Sequence, residues 1–298
     1  MIKNLALGIL LCASTLALAQ PYPSRPVRLV VGFAPGGAAD FVSRAFQDSL
    51  GKALGQPIVV ENRPGAGSSI AAEHVAKSAP DGYTVLIASP SSILVNPLIS
   101  PKPGFQPLKD LIAIGKVSSS PLILSVNPGI GVSSVQELIA HAKKNPGKRN
   151  FATSGNGSAP HLAAVLFLKL AGDTQLSFAT PPSVLPLVQA GRLRALAVTS
   201  RTATPLLPGI PGMGEALPDY EISFWYGFFV PAGTPPEVVG KLFDATSQAL
   251  KTPDIGRILA KEGTETASSA SPEEFARFLA EDAKLWARLV KESGAKAD

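Results

Sequence analysis

A glycine-rich loop, Phe33-Ala-Pro-Gly-Gly-Ala-Ala-Asp40, is the segment of this chain best suited to bind a ligand. It lies between an apolar run, 27–32, and a segment with helical periodicity that begins near Ala38. The first amides of a helix have no carbonyl partner, so small residues at that point leave them accessible to an anion. The sequence therefore predicts a carboxylate site formed without lysine or arginine by the backbone of Phe33, Ala34, Pro35, Gly36, Gly37 and Ala38.

Asp40 ends this loop and has two interpretations. Its carboxylate falls in the first helical turn, where it stabilises the helix dipole and can pair with Arg44 one turn later. Alternatively it points towards the ligand and favours a compound with an ammonium group. Asp40 is therefore kept among the candidate ligand-binding residues.

A second loop, Thr153-Ser-Gly-Asn-Gly-Ser158, repeats the order of strand, small residues and helix. We expect it to face the first loop and to bind the other end of the ligand. Ser158 can equally act only as a helix N-cap, and His161 can hydrogen-bond or merely pack. The candidates here are Thr153, Ser154, Gly155, Gly157, Ser158 and His161.

Weaker candidates follow other predicted strands. Ser89 and Asn96 come after the apolar strand 84–88, at the end where α/β sheets present ligand groups, although ordinary loop polarity explains them too. The same ambiguity applies to Pro64–Gly67 and Thr180. Trp225 and Tyr226 can form a pocket wall, but aromatic residues in an apolar strand more often belong to the core.

The first 19 residues have the pattern of a secretory signal, with Lys3, an apolar run over 5–18 and the small-x-small site Ala17-Leu-Ala19. Removing them also removes Cys12, the chain's single cysteine, so we expect a disulfide-free protein exported to a bacterial periplasm. No later run is long and apolar enough to span a membrane. The net charge of +5 is dispersed among acids, which argues against nucleic-acid binding.

Motifs for catalysis are absent from the sequence. There is no Gly-x-Ser-x-Gly elbow, no phosphate loop and no His-Glu-x-x-His, and the three histidines fall on different predicted helices. We therefore expect no enzyme activity, no bound metal and no cofactor. A periplasmic hydrolase that uses Ser154 or Ser158 stays as an alternative.

Short β-branched runs alternate with helical periods from residue 27 onwards, which predicts βαβ units and a parallel sheet. A Pro/Gly/Ser-rich passage, 89–107, separates this block from a second α/β block that begins at the apolar strand 122–126. The aromatic segment 222–230 then returns to the first block. Two amphipathic helices, 235–250 and 272–293, form a closing layer.

Six motifs in the same order as in a known family support a more specific interpretation. They are Tyr22-Pro-Ser-Arg-Pro-Val-Arg-Leu-Val-Val-Gly-Phe-Ala-Pro-Gly-Gly37 with Asp40, Val60-Glu-Asn-Arg-Pro-Gly-Ala-Gly67, Asp81-Gly-Tyr-Thr84, Thr153-Ser-Gly-Asn-Gly-Ser158 with His161, Gly191-Arg-Leu-Arg-Ala-Leu-Ala197 and Pro231-Ala-Gly-Thr-Pro235. The chain resembles the Bug-type extracytoplasmic solute receptors of tripartite tricarboxylate transporters over essentially its whole mature length.

The resemblance implies a periplasmic-binding-protein fold of two α/β lobes that close on a small carboxylate. Lobe one would comprise residues 20–120 plus 225–298, and lobe two residues 121–224. It also implies a monomer that delivers its ligand to membrane permease subunits. An alternative with the same fold is a ligand-sensing subunit for a signalling partner.

The chain departs from the family pattern after the helix predicted at 158–170. Family members usually continue with another strand, a glycine-containing turn and a short helix, whereas here Gly172-Asp-Thr174 leads directly into the strand 175–179. Lobe two therefore lacks one βα step, about 15 to 20 residues. We expect a wall of the cleft to be missing there, with weaker binding, a larger ligand or a less stable lobe as the consequence.

Overall fold

Strands and helices alternate in the first part of the chain, as the apolar pattern predicts. The computed structural model describes residues 21–100, 104–145, 150–153, 158–172 and 175–293. Its first elements are β1 (Val27–Val31), α1 (Ala38–Leu54), β2 (Ile58–Asn62), α2 (Ser69–Ala76) and β3 (Thr84–Ala88). Val42, Phe46 and Leu50 recur every four residues in α1 and are fully or almost fully buried, so this face of the helix packs on the sheet.

A π-helical turn, Ser91–Val95, follows β3. The later elements are α3 (Asn96–Ile99), α4 (Pro107–Asp110), β4 (Leu111–Pro121), β5 (Ile123–Val126), α5 (Val135–Lys144), β6 (Asn150–Ala152), α6 (Ala159–Ala171), β7 (Gln175–Ala179), α7 (Pro181–Gln189), β8 (Arg194–Val198), β9 (Ser223–Pro231), α8 (Pro236–Leu250), α9 (Pro253–Lys261), β10 (Glu265–Thr266) and α10 (Pro272–Ser293). The sequence patterns did not predict β4, α7 or α9. The helix α7 is hard to predict because it contains three prolines, which are disfavoured in helix interiors. Pro181 and Pro182 fall in the first turn and Pro186 falls inside the helix.

Two sheets contain the described strands. One has the order β10-β4-β9-β3-β1-β2 and the other β6-β7-β5-β8. The expectation of parallel pairing is right for β2-β1-β3 and for β6-β7. The strand β9 returns to the first sheet and lies between β3 and β4, antiparallel to both, and in the second sheet β5 is antiparallel to β7 and β8.

The chain passes between the sheets at two adjacent points. The strand β4 ends at Pro121, opposite Ser223, where the antiparallel strand β9 begins, and β5 follows β4 into the second sheet. We call the part around the six-stranded sheet the first half and the part around the four-stranded sheet the second half. The division into lobes with boundaries near 121 and 224, and their movement as separate lobes, stay predictions.

In the second half, the connection between α6 and β7 is short at the point where the sequence departs from the family pattern. The helix α6 ends at Ala171 and β7 begins at Gln175, and β7 pairs in parallel with β6 through Asn150 opposite Gln175. Among the described strands, none lies between them and β6 is the edge of the sheet. A single βαβ unit therefore occupies this region.

Candidate functional site

A cleft of about 540 Å³ lies between the two halves. Its first-half lining comes from the loops after β1 and β2 and from β9, namely Gly32, Phe33, Ala34, Gly37, Ala38, Ala39, Pro64, Gly65, Ala66, Gly67, Ser68, Phe224 and Tyr226. Its second-half lining comes from the starts of α6 and α7, namely Pro160, Thr180 and Ser183. The volume is that of a small-molecule pocket, and the described lining contains hydroxyl groups but no charged side chain.

The first loop presents free amides where α1 begins. Gly37 is the N-cap residue without a side-chain cap, and its own amide donates to the Ala34 carbonyl at 3.3 Å. The next two amides, of Ala38 and Ala39, have no acceptor in the described part of the chain. Both residues line the cleft and are 6 % and 2 % exposed. These two donors, at the positive end of the helix dipole, can bind an anion.

Asp40 supports this loop from behind. Its carboxylate accepts hydrogen bonds from the Gly36 amide at 2.9 Å, Arg44 Nε at 2.8 Å and Asn62 Nδ2 at 3.0 Å. Burial raises the pKa of the Asp40 carboxyl, but the hydrogen bonds from Arg44, Gly36 and Asn62 outweigh it and hold that pKa below its usual value. Of the two interpretations of Asp40, the structure has the pairing with Arg44.

Some predicted amides of the first loop are used within the loop itself. The Gly36 amide is bound to Asp40, and neither Pro35 nor Gly36 lines the cleft. Asn62 also donates to the Phe33 carbonyl at 3.1 Å, which fixes the loop to the end of β2. The cleft-facing part of the loop is therefore Phe33, Ala34, Gly37 and Ala38, together with Ala39, which the sequence did not single out.

The loop after β2 presents a second unsatisfied group. Ser68 and Ala66 both have a positive φ, 78° and 45°, which non-glycine residues rarely adopt. Ser68 is 1 % exposed, lines the cleft, and its Oγ has no hydrogen-bond partner. Strained backbone and an unpaired buried hydroxyl are typical of ligand-binding loops. Sequence reasoning missed Ser68, although its position just after Gly65-Ala-Gly67 and before α2 was a usable signal.

Asn96 and Ser89 lie behind this second loop. Asn96 Nδ2 donates to the carbonyls of Ala66 and Gly67 at 3.0 and 3.1 Å, so its side chain holds the loop shape. Ser89 is fully buried, its Oγ has no partner, and it does not line the cleft. Neither residue lines the cleft. Asn96 contacts a loop that does, whereas Ser89 has no side-chain hydrogen bond to such a loop.

At the start of α6, every backbone amide already has a hydrogen-bond acceptor. Ser158 is its N-cap, and the Ser158 Oγ accepts from the His161 amide at 3.2 Å. The Ala159 amide donates to Ser91 Oγ of the first half at 2.9 Å, and Pro160 has no N–H. His161 is buried in this turn. Thr153 is described and does not line the cleft, whereas Ser154, Gly155 and Gly157 lie outside the described residues.

The start of α7 is equally blocked. Its first two helical residues are Pro181 and Pro182, and the Ser183 amide donates to the Thr180 carbonyl at 3.0 Å. The hydroxyls of Thr180 and Ser183 lie 3.1 Å apart and both residues line the cleft. This side therefore offers neutral hydroxyls to a ligand, and no free amide at the first three positions of α7.

Alternation along β9 divides its aromatic residues between the cleft and the core. Phe224 and Tyr226 line the cleft, whereas Trp225 points to the opposite face and donates to Asp282 of α10 at 2.8 Å. Trp286 donates to the same carboxylate oxygen at 3.0 Å. Burial raises the pKa of the Asp282 carboxyl, against the effect of the two indole donors. Of the two aromatic candidates, Tyr226 forms a wall and Trp225 belongs to the core.

Comparison with known proteins agrees with this architecture of two α/β halves around a cleft. A structure described as the periplasmic binding protein BugD has a TM-score of 0.86 at 29% identity, over 93% of this chain and 100% of that one. R. palustris Rpa4515 with adipate has a TM-score of 0.86 at 31% identity, over 92% of this chain and 99% of that one. The fold is therefore that of a periplasmic binding protein, as predicted.

The family follows from sequence. The model of the tripartite tricarboxylate transporter family receptor matches residues 42–176 and 165–295. Protein BugT of Bordetella pertussis is 34% identical, over 97% of both chains. The chain belongs to this receptor family and is a periplasmic solute-binding protein of the Bug type, which confirms the resemblance. The two matched segments overlap over residues 165–176, the region in which the chain departs from the family pattern.

Proposed function

We propose that this protein captures a small organic carboxylate in the periplasm and delivers it to the permease subunits of a tripartite tricarboxylate-type transporter. The supporting observation is the pair of free amides of Ala38 and Ala39, which share a cleft with the unpaired Ser68 Oγ. Uncommitted donors on residues that line one cleft fit a carboxylate, which accepts hydrogen bonds at both oxygens.

The proposal includes export and the oligomeric state. Residues 1–19 act as a cleaved signal peptide, and the mature chain works as a monomer. In the described segments, no helix has the length and apolar character that a bilayer crossing requires. Terminal sequencing of protein from the periplasmic fraction should give Gln20 as the first residue, and sedimentation should give the mass of one chain.

Of the two serines of the hydrolase alternative, the structure describes Ser158, and its position fits a binding protein better than an enzyme. Ser158 is fully buried and its Oγ caps α6, so it is not placed as an accessible nucleophile. Incubation of the protein with short-chain and aromatic esters should give no turnover. Steady ester hydrolysis that a Ser158→Ala substitution abolishes would favour the hydrolase alternative instead.

A thermal-shift screen of organic acids tests the central claim. A ligand that binds only the folded state adds about 2.7 kcal/mol of apparent stability at a hundredfold excess over Kd. We expect at least one acid to raise Tm and the matching primary amide, which has no carboxylate, to leave it unchanged. A flat response to all acids would contradict carboxylate capture.

Delivery to a permease is tested separately. Cells that carry the permease genes should take up the identified acid only when this protein is also exported. If uptake is unaffected by its deletion while a sensor-kinase response is lost, the sensing role replaces the transport role.

A further inference from the structure

The two sides of the cleft differ in the number of amides they offer, and this difference bears on the class of acid that binds. The inference rests on the proposed function, because it takes a carboxylate at the Ala38 and Ala39 amides as given. The start of α1 keeps both amides free, and Ser68, which lines the same cleft, has a buried Oγ without a partner. One carboxylate is therefore accommodated in the first half.

Among the described residues, the second half offers no comparable place for another carboxylate at the starts of α6 and α7. In the first turn of α7, two of the three amides are absent at Pro181 and Pro182, and the third, of Ser183, is bound to the Thr180 carbonyl. A helix start normally attracts anions through these free amides as well as through its dipole. Prolines at these positions keep the helix but remove its donors.

The start of α6 loses its donors in a different way. The Ala159 amide is satisfied by Ser91 Oγ from the other half, Pro160 has none, and the His161 amide is bound to the N-cap. Two neighbouring helix starts of the second half are thus closed to an anion by three prolines and three internal hydrogen bonds.

The remaining walls are apolar or neutral. Phe224 and Tyr226 of β9 and Pro160 of α6 line the cleft, and no lysine, arginine or histidine does so in the part of the chain that the structure describes. A second carboxylate here would lose its hydration without gaining a cation or a free amide, which is strongly unfavourable. An aromatic ring or an alkyl chain would instead bury its surface favourably.

We infer that the cleft selects acids with a single carboxylate and an uncharged body. The carboxylate binds at α1, the apolar body lies against Phe224 and Tyr226, and a hydroxyl on the body can reach Thr180 or Ser183. The relative that was solved with adipate binds an acid with two carboxylates, so the inference sets this chain apart from a protein of the same fold.

Matched pairs of acids test the inference on the full mature chain. Titration calorimetry would compare hexanoate with adipate, and benzoate with terephthalate, so that each pair differs by one carboxylate. We expect the monoacid to bind at least tenfold more tightly in both pairs. Equal or tighter binding of adipate and terephthalate would overturn the inference and leave carboxylate capture intact, whereas binding of no acid in the wider screen would overturn both.

A proline substitution tests the reason for the preference. Pro182→Ala restores an N–H at the second position of α7, between the cleft-lining Thr180 and Ser183, so it should reduce the ratio of monoacid to diacid affinity about threefold to tenfold. Pro186→Ala is the matched control, because the N–H that it adds lies one turn later and bonds to a carbonyl within the helix. An unchanged ratio in Pro182→Ala, or the same change in both variants, would show that the blocked helix start does not set the selectivity.

Discussion

The start of α1 and the start of α7 lie in the same cleft and differ in their first turns. In α1 the first two residues are Ala38 and Ala39, whose amides are free, and in α7 they are Pro181 and Pro182, which have no amides. Both are strand-to-helix turns, and both helices present a positive dipole end. The comparison teaches that a helix N-terminus can bind an anion only where its amides have no other acceptor. The residues of the first turn therefore decide whether a helix start can bind an anion.

Support for the two turns also differs. The loop before α1 is fixed by a buried carboxylate, because Asp40 accepts from Gly36, Arg44 and Asn62. The turn before α7 is held mainly by its own residues, with Thr180 and Ser183 bonded to each other. The turn before α1 thus depends on one charged group outside the cleft.

The largest effect is expected from removal of that group. Asp40→Ala leaves the Gly36 amide without its acceptor and the half-exposed Arg44 without its partner, and it leaves Asn62 Nδ2 with only the Phe33 carbonyl. We expect the free energy of unfolding to fall by about 2–3 kcal/mol and acid binding to be lost with the loop shape. Chemical denaturation and calorimetry would measure both. Asp48→Ala, an exposed position on the same helix, should change neither, and a similar loss there would refute the supporting role.

The next largest effect is expected from making α1 resemble α7. Ala38→Pro removes one cleft-facing donor, and the helix should form normally because proline suits its first position and Gly37 is already extended, with φ −81° and ψ 172°. Loss of a hydrogen bond to a charged ligand should weaken binding about 10- to 100-fold with little change in Tm of the free protein. Ala38→Gly keeps the N–H and serves as the control. Wild-type affinity in Ala38→Pro would remove α1 from the site.

A smaller effect is expected at the second donor of the first half. Ser68→Ala removes an unpaired buried hydroxyl, so the free protein should be no less stable while acid binding weakens about threefold to tenfold. This opposite behaviour of stability and affinity separates a ligand contact from a structural one. Ser69→Ala, the next residue along, should leave affinity unchanged. A stability loss without an affinity loss in Ser68→Ala would assign the hydroxyl to the fold alone.

The smallest effect is a pH dependence of the supported loop. The pKa of Asp40 is lower in the folded state than in the unfolded chain, so its stabilising contribution is present above the unfolded value, about pH 4, and declines as pH falls towards the folded value. Asp40→Asn lacks this titration. The difference in unfolding free energy between wild type and Asp40→Asn should therefore be constant near neutral pH and shrink below about pH 4. A difference that grows on acidification would contradict the depressed pKa.

Much of the fold could be predicted because its signals are local. The helix at 272–293 and the strand at 175–179 have the predicted bounds, since an amphipathic period and a β-branched or aromatic run between turn residues mark each one. The strand β4 was not predicted because its burial lacks strict alternation, and most of its pairing is with β9, more than a hundred residues away. Antiparallel pairing of that kind leaves little trace in a local pattern.

The candidate site divides along the same principle. The small residues of the first loop and the helix start that follows them are properties of a short segment, and the sequence alone determined them, whereas it left the role of Ser158 open and did not reveal α7. Only the tertiary structure decided which helix starts share the cleft, that Ser91 satisfies Ala159 across 68 positions, and that Asp40 faces away from the ligand space. The physical reason is that the first turn of a helix sets which amides are unpaired within it, whereas long-range packing sets whether those amides meet another part of the chain or a ligand.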